Sequence, residues 1–200
     1  MMAEQNTLLS GIAEIDEMYA GAPPCKRTKP EREDDDRDQS PPNSKGRGTK
    51  RPLLLVATEG GGDVVAKVIP PHGKEAVASA LDGVLDPEAT VMTDGLPAYK
   101  HISNRQTHLS VNHPDREYAR TDKMTGLRVH VSRVELFNNV MRLAVVGVWH
   151  QISTKHLGRY ASQAAFRWNR KADACLERMA LLVRNGVGRT LPYGFLTGAA

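Results

Sequence analysis

The chain has 200 residues and a formal net charge of +4, with 27 Lys and Arg against 23 Asp and Glu, so one ordinary domain with appendages is expected rather than two full domains. Hydrophobic residues form 40% of the chain, which excludes wholesale disorder. No apolar run approaches the roughly 18 residues of a membrane helix. Because the N-terminus has no basic and apolar leader pattern, we expect an intracellular protein.

The first quarter of the chain contains one predicted strand, over residues 9–15, which ends at Asp16. Residues 1–8 are predicted to be a disordered N-terminus. Residues 21–50 contain five prolines, fourteen charged residues and no large aliphatic or aromatic side chain. Such a stretch cannot bury enough apolar area to offset the entropy lost on ordering. We therefore predict a long disordered insert after the first strand.

The remaining elements follow at regular spacing. Two short apolar runs joined by the glycine turn 60–62 predict a β-hairpin over residues 53–59 and 64–69. Helical spacing predicts a helix over residues 76–84, and a buried strand over 89–93 then ends at Asp94. A helical turn at 97–101, a strand at 107–111 and three helices follow, one from Ser132, one over 153–171 and one over 175–183. This order predicts an α/β fold with a mixed sheet of about five strands flanked by helices.

Three acidic residues occupy positions that suit catalysis. Asp16 and Asp94 end predicted strands, and Glu135 lies in the first turn of the helix that begins at Ser132. Neighbouring strands lie about 4.8 Å apart, so two carboxylates at strand ends can share a cation and a helix acid can complete a second site. The competing interpretations are that Asp16 and Asp94 are turn residues and that Ser132 and Glu135 form an S-x-x-E capping box.

The kind of metal follows from the available ligands. Cys25 and Cys175 are isolated and provide no zinc-binding pair. Magnesium prefers carboxylate and phosphate oxygens, and two ions about 3.5 to 4 Å apart clamp the attacking and leaving oxygens of a phosphodiester. Without the metal, such close carboxylates repel each other and one pKa rises. The charge of −5 on residues 52–99 and +9 on residues 100–171 suits a nucleic-acid enzyme, although solvated helix surfaces explain it equally well.

Several separate sequence words carry a family resemblance. The segments GIAEIDEMYAG, VMTDGLPAYKHI and HVSRVELFNNVMRLAVVGVWHQISTKHLGRYASQAAFRWNRK resemble, in this order, the integrase-like catalytic domain of ISXO-like insertion-sequence DDE transposases. The resemblance covers residues 11–171 and implies a ribonuclease H-like fold, with a catalytic domain over residues 9–171 followed by a C-terminal helix and tail over 172–200. It implies that Asp16, Asp94 and a third residue within Ser132 to Glu135 bind two Mg²⁺ or Mn²⁺ ions and catalyse the reaction. We take Glu135 as the third residue, with the position of Ser132 as the alternative.

The same resemblance implies transposon ends and target DNA as partners, a homo-oligomer on DNA, and a bacterial cytoplasmic location with nucleoid association when bound. Basic residues in the matching segments are the predicted DNA-phosphate contacts, with solvated helix surface as the alternative interpretation: Arg142, Lys155, Arg159, Arg167 and Arg170. His113 and His130 flank the segment that leads to the third acid, and either substrate contacts or structural roles suit them.

The chain also departs from this family. Ser132 stands where relatives usually carry Asn, and Gln163 stands where relatives often carry Glu. Relatives also carry a zinc-ribbon region ahead of the first strand, and we expect this chain to correspond to the catalytic part alone. We therefore expect a metal-dependent transposase domain that cleaves and transfers DNA strands, or alternatively a decayed or repurposed remnant that binds DNA without cleaving it. A cellular ribonuclease H-like nuclease that cuts RNA–DNA hybrids is a third interpretation.

Overall fold

A computed structural model describes residues 7–20, 52–60, 62–70, 74–150 and 152–190. The predicted disordered insert at 21–50 and most of the predicted disordered N-terminus at 1–8 lie outside these ranges. Within them the chain forms seven strands, β1 Ile12–Tyr19, β2 Leu53–Glu59, β3 Val64–Ile69, β4 Thr90–Asp94, β5 Thr107–Val111, β6 Ala119–Thr121 and β7 Arg128–His130. It also forms four α-helices, α1 Lys74–Leu81, α2 Ser132–Ala144, α3 Thr154–Asn169 and α4 Cys175–Gly186.

Five of the strands build one mixed sheet in the order β3-β2-β1-β4-β5. The pairs β1–β2 and β2–β3 are antiparallel, whereas β1–β4 and β4–β5 are parallel. β6 and β7 form a separate antiparallel hairpin. The predicted α/β fold with a mixed five-stranded sheet flanked by helices is confirmed, and so is the predicted β2–β3 hairpin.

Helices cover both faces of the sheet, so the protein has two apolar layers. Alternation along β1 sends Met18 into the layer beneath α2 and α3, and Ile15 into the layer beneath α1. Phe137 of α2 and Leu157 of α3 fill the first layer, and Val77 of α1 belongs to the second. Because a strand has a period of two residues, every second residue of β1 faces α2.

The predicted bounds of the first strand are wrong. Leu9 makes only an isolated bridge to Leu85, and β1 begins after Gly11, whose φ of +67° suits glycine. At the other end β1 continues to Tyr19, because its antiparallel pairing with β2 extends to that residue. Asp16 therefore lies inside β1 instead of ending it. The parallel ladder with β4, however, stops one residue earlier, at Ile15 opposite Thr93.

Two further elements had no sequence prediction. The β6–β7 hairpin consists of two three-residue strands, and residues Val145–Trp149 extend α2 as a π-helical turn. Nowhere in the described ranges does a helix have the length and apolar character needed to span a bilayer. α4 buries none of its side chains, so the described core ends with α3.

Candidate active site

Asp16 and Asp94 are neighbours across the parallel pair β1–β4. The paired residues Ile15 and Thr93 immediately precede them, so the two aspartates occupy the next register position. Asp16 is two residues from Met18 and Asp94 is two residues from Met92, and both methionines lie in the layer beneath α2. Both carboxylates therefore face α2, at the point where the parallel ladder ends.

Two hydrogen bonds hold the Asp16 carboxylate. The backbone N–H of Glu17 donates to Oδ1 at 2.8 Å, and the side-chain amide of Asn138 donates from Nδ2 to Oδ2, also at 2.8 Å. Asn138 lies on the buried side of α2 and is 1% exposed. The Asp94 carboxylate has a longer contact, 3.4 Å from the N–H of Leu96 to Oδ1.

The shared location changes the acidity of both aspartates. Burial raises the pKa of Asp16, and the negative charge of Glu135 raises this pKa further. Burial also raises the pKa of Asp94, and with the negative charge of Asp16 it brings that pKa to about 6. The adjacent backbone and Asn138 hydrogen bonds oppose these effects only in part. The increase in pKa that is expected for two close carboxylates is therefore present at Asp94.

Glu135, the third predicted acid, lies at the outer side of this pair. It is in the first turn of α2, its side chain is 48% exposed, and its Oε1 is 3.9 Å from Nδ1 of His113. The His113 ring packs on Tyr118 with centroids 5.5 Å apart, and its charge lowers the pKa of Asp94. His113 thus lies within electrostatic reach of both Asp94 and Glu135.

The N-terminus of α2 is capped from β1, so the predicted capping box is wrong. Val131 is the N-cap residue and makes no side-chain cap. Instead, Oε2 of the buried Glu14 accepts the backbone N–H groups of Arg133 at 2.8 Å and Val134 at 3.3 Å. Glu14 is two residues before Asp16 and faces α2 as well. A carboxylate from the sheet therefore satisfies the free amides at the start of α2, and Ser132 provides no side-chain cap.

Ser132 and His130 complete the surroundings of Glu14. Nδ1 of His130 is 2.9 Å from Oγ of Ser132 and 3.3 Å from Oε1 of Glu14. Both contacts fall on the same ring nitrogen, whereas a nucleophilic serine relay uses one nitrogen for the serine and the other for the acid. These three residues lie together at the start of α2 and do not form a hydrolytic triad.

Two residues on the α1 side of the sheet, Glu17 and Tyr99, lie next to the site. Glu17 follows Asp16 and raises the pKa of Asp94. Tyr99, in a short 3₁₀ turn after β4, is fully buried. Burial raises the pKa of Tyr99 well above its usual value, and the charge of Glu17 contributes. The end of the β1–β4 ladder thus concentrates negative charge on both faces of the sheet.

The predicted DNA contacts divide into two groups. Arg142 lies on the exposed side of α2, bonds to Oδ1 of Asn139 at 3.0 Å, and lowers the pKa of Asp16. The other four lie on or just after α3, which packs against β3. Lys155, Arg167 and Arg170 are exposed, and Arg159 is half-buried beside His156. Because β3 is two strands away from β1, the structure brings only Arg142 to the aspartate pair.

Comparison with known proteins identifies the family of this fold and site. A family model described as the ISXO2-like transposase domain matches residues 8–169. The chain belongs to the ISXO2-like transposase domain family. The match runs from just before β1 to the last residue of α3 and leaves α4 outside. Neither the comparison with curated proteins nor the comparison with solved structures gives a match.

The residues of this DDE transposase domain can be tested against the divalent cations that its family generally uses. Within the described ranges no three His, Cys, Asp or Glu side chains are grouped as a metal site. The pair Asp16 and Asp94 still fits a hard cation, because both ligands are carboxylates and their repulsion is what a cation relieves. Oδ1 of the adjacent Asn138 is also buried without a hydrogen-bond partner. Two of the three predicted ligands therefore fit, with Glu135 close but not grouped with them.

Sequence reasoning missed Glu14 and Asn138, the two residues that connect β1 to α2 in this transposase domain. A signal for Glu14 exists, since an acid two residues before Asp16 shares its face of the strand. Asn138 follows Phe137 and precedes Met141 by three residues, which places it on the apolar side of the predicted helix. A polar residue at a buried helix position is a sign of a specific contact.

Proposed function

We propose that this chain is the catalytic domain of a transposase that cleaves a DNA strand at the end of an insertion sequence and joins it to target DNA. The observation that carries the proposal is the register of β1 and β4, which brings the carboxylates of Asp16 and Asp94 together beneath α2. Membership of the transposase family supports the same conclusion.

Each acid has a separate part in this proposal. Asp16 and Asp94 are the principal ligands of Mg²⁺ or Mn²⁺, and Glu135 approaches from the exposed start of α2 to complete a site for two ions. When bound, these ions lower the pKa of water and stabilise the charge on the phosphate during transfer. Asn138 keeps the Asp16 carboxylate in one orientation, and the half-buried location limits competing water.

DNA is the proposed partner, and the basic residues are its proposed contacts. Arg142 is suited to the phosphate nearest the acids, and the α3 residues are suited to phosphates farther along the duplex: Lys155, Arg159, Arg167 and Arg170. We expect Arg167→Ala to reduce the slope of log affinity against log salt concentration by about one, because one phosphate contact releases about one counterion. Fluorescence anisotropy over a salt series measures the slope, and an unchanged slope would mean that Arg167 is only solvated surface.

A cleavage and strand-transfer assay tests the proposed chemistry. The substrate is a duplex with the sequences that flank the gene of this chain, incubated with Mg²⁺ or Mn²⁺. We expect Asp94→Asn to lower the rate at least about a thousandfold, since one ligand of the cation is lost. The matched control is Asp82→Asn, which neutralises an exposed aspartate paired with Arg105 on the other side of the sheet and is expected to keep the wild-type rate.

The outcomes of this assay separate the competing functions. Cleavage that Asp94→Asn abolishes supports the transposase. Salt-dependent DNA binding without cleavage in either cation would favour the decayed or repurposed remnant instead. Cleavage of an RNA–DNA hybrid with no dependence on the flanking DNA sequence would favour the ribonuclease H-like nuclease.

A further inference from the structure

Asn138 is the only polar residue among the buried side chains of α2, which are otherwise Val134, Phe137 and Met141. Moving an amide from water into an apolar layer costs free energy unless hydrogen bonds replace its water. An apolar residue of similar volume would fill this position without that cost. The presence of an amide here therefore requires a specific partner, and that partner is Asp16.

The hydrogen bond from Asn138 fixes the orientation of the Asp16 carboxylate. Its two oxygens accept from different directions, one from the backbone of Glu17 and one from Nδ2 of Asn138, each at 2.8 Å. A carboxylate oxygen can accept two hydrogen bonds or bind a cation in place of one. With one bond on each oxygen, Asp16 is held in place and each oxygen keeps a free acceptor position.

The orientation of the Asn138 side-chain amide follows from which of its atoms donates a hydrogen bond and which accepts one. Were the amide turned round, Oδ1 of Asn138 would face Oδ2 of Asp16 and two acceptors would meet. Nδ2 therefore faces Asp16, and Oδ1 is left buried without a hydrogen-bond partner. A buried acceptor of this kind is costly in the isolated chain, and a water or ligand that enters the site can satisfy it.

The spacing of β1 and α2 brings Asn138 to this position. Glu14 binds the Val134 amide, and Asp16 binds the Asn138 side chain. Residues two apart on a strand are separated by about 6.8 Å, and residues four apart on a helix rise by about 6 Å. The two contacts therefore match in spacing, and together they align α2 with β1 at two successive points.

We propose that Asn138 is the positioning residue of the cation site, which holds the Asp16 carboxylate in the orientation that binds the metal. This inference rests on the proposed function, because it assigns Asn138 a role toward the cation that Asp16 and Asp94 share. Asn138 acts through Asp16 and is not itself a catalytic residue. Its role predicts that cation affinity depends on the amide even where stability does not.

The test measures Mn²⁺ binding to the full chain by isothermal titration calorimetry, without DNA and without any activity readout. Asn138→Leu keeps the branched shape of the side chain, is somewhat larger, and removes the donor. We expect its dissociation constant for Mn²⁺ to rise about tenfold or more, as is usual when a residue that orients a metal ligand is lost. Its melting temperature without cation is expected to stay close to that of the wild type, since the loss of the hydrogen bond to Asp16 and the removal of a buried unsatisfied oxygen act in opposite directions.

The matched control is Asn104→Leu, which changes an exposed asparagine in the short turn Ile102–Asn104, on the α1 side of the sheet. We expect this variant to bind Mn²⁺ as the wild type does. Asn138→Ala, which also lacks the donor and favours a helix, replaces Asn138→Leu if the larger side chain prevents folding. Its Mn²⁺ affinity is expected to fall by a similar factor.

Two results would overturn the inference in different ways. If folded Asn138→Leu or Asn138→Ala binds Mn²⁺ as tightly as the wild type, Asn138 has only a structural role, and the proposed function stands. If the wild type binds no Mn²⁺, the cation site of the proposed function fails, and the role of Asn138 fails with it.

Discussion

Asp94 is an example of a residue that is unfavourable for folding and suited to chemistry. Its carboxylate is half-buried, it lies next to Asp16, and its pKa is raised to about 6. Near neutral pH the carboxylate is mostly ionised in the folded protein, at a cost that the unfolded chain does not carry. Functional carboxylates often show this conflict, because the same closeness that repels in the free protein binds a cation tightly.

Replacing Asp94 should therefore stabilise the protein while it removes activity. The pKa of Asp94 rises from an ordinary value of 3.8 to about 6 on folding, so the folded state binds the proton more tightly. The resulting stability is present at low pH and is lost as the pH rises from about 4 to about 6. Asn mimics the neutral acid, so Asp94→Asn should raise the free energy of unfolding by about 1 to 2 kcal/mol at pH 7.5, less than the full pKa shift corresponds to, because solvent screens the partly exposed carboxylate.

Urea denaturation with EDTA, at pH 7.5 and at pH 4, measures this difference. The gain in Asp94→Asn over the wild type should shrink as the pH falls through 6 and be small at pH 4, where the wild-type carboxyl is already protonated in the folded state. Asp82→Asn, at an exposed aspartate, should show no such pH dependence. Equal stability of Asp94→Asn and the wild type at pH 7.5 would contradict the raised pKa of Asp94, which burial and the charge of Asp16 cause.

At the level of elements, the start of α2 depends on a residue far away in the sequence. Glu14 of β1 accepts the backbone N–H groups of Arg133 and Val134. Burial raises the pKa of Glu14, and these two hydrogen bonds together with the charge of His130 oppose the rise. Glu14 therefore connects the strand that carries Asp16 to the helix that carries Glu135, and it fixes where the third acid lies.

This connection predicts a large loss of stability for one substitution and almost none for another. Glu14→Ala leaves two helix amides without their acceptor and should lower the free energy of unfolding by about 2 to 3 kcal/mol. Ser132→Ala should change it by less than about 0.5 kcal/mol, because Ser132 caps no amide. Urea denaturation compares them, with Glu75→Ala, at an exposed acid of α1, as the control. A larger loss in Ser132→Ala than in Glu14→Ala would restore the capping box.

The sequence predicts elements well where the signal is local. Two apolar runs joined by a glycine turn predict the β2–β3 hairpin, and Asp94 ends β4 as expected because Gly95 follows it. The capping of α2 could not be predicted, since its acceptor lies 119 residues before Arg133. The S-x-x-E pattern at Ser132 satisfies the local rule for a capping box, although the folded chain forms no such box there. The β6–β7 hairpin escaped prediction because three-residue strands are too short to show alternation.

The candidate site could be predicted only in part, for the same reason. Parallel strands that end in acids predict that Asp16 and Asp94 meet, although the strand at Asp16 continues along its other neighbour. The contact between Asn138 and Asp16 spans 122 residues and depends on how α2 is aligned with β1. No local pattern specifies that alignment, because it arises from the packing of the helix on the sheet.

At the scale of the whole molecule, the described chain contains a core and an appendage. α2 and α3 supply Phe137, Met141 and Leu157 to the layer above the sheet. α4 supplies no buried residue and exposes several large apolar side chains, namely Leu176, Met179, Leu182 and Val183. The family match also ends at Asn169, before α4. The buried core and the family match thus both end with α3.

Removal of residues 174–200 should therefore leave the fold intact. We expect the melting temperature of the shortened chain to stay within about 3 °C of the full chain, since a loss of 1 kcal/mol shifts a domain of this size by about 2 to 4 °C. Its tendency to self-associate should fall, because the exposed apolar residues of α4 are gone. Calorimetry and light scattering measure the two effects.

Removal of residues 154–200, which also deletes α3 and its buried Leu157 and Ala161, should abolish cooperative unfolding. A melting temperature more than about 5 °C lower on loss of α4 alone would mean that α4 stabilises the domain through contacts outside its apolar core.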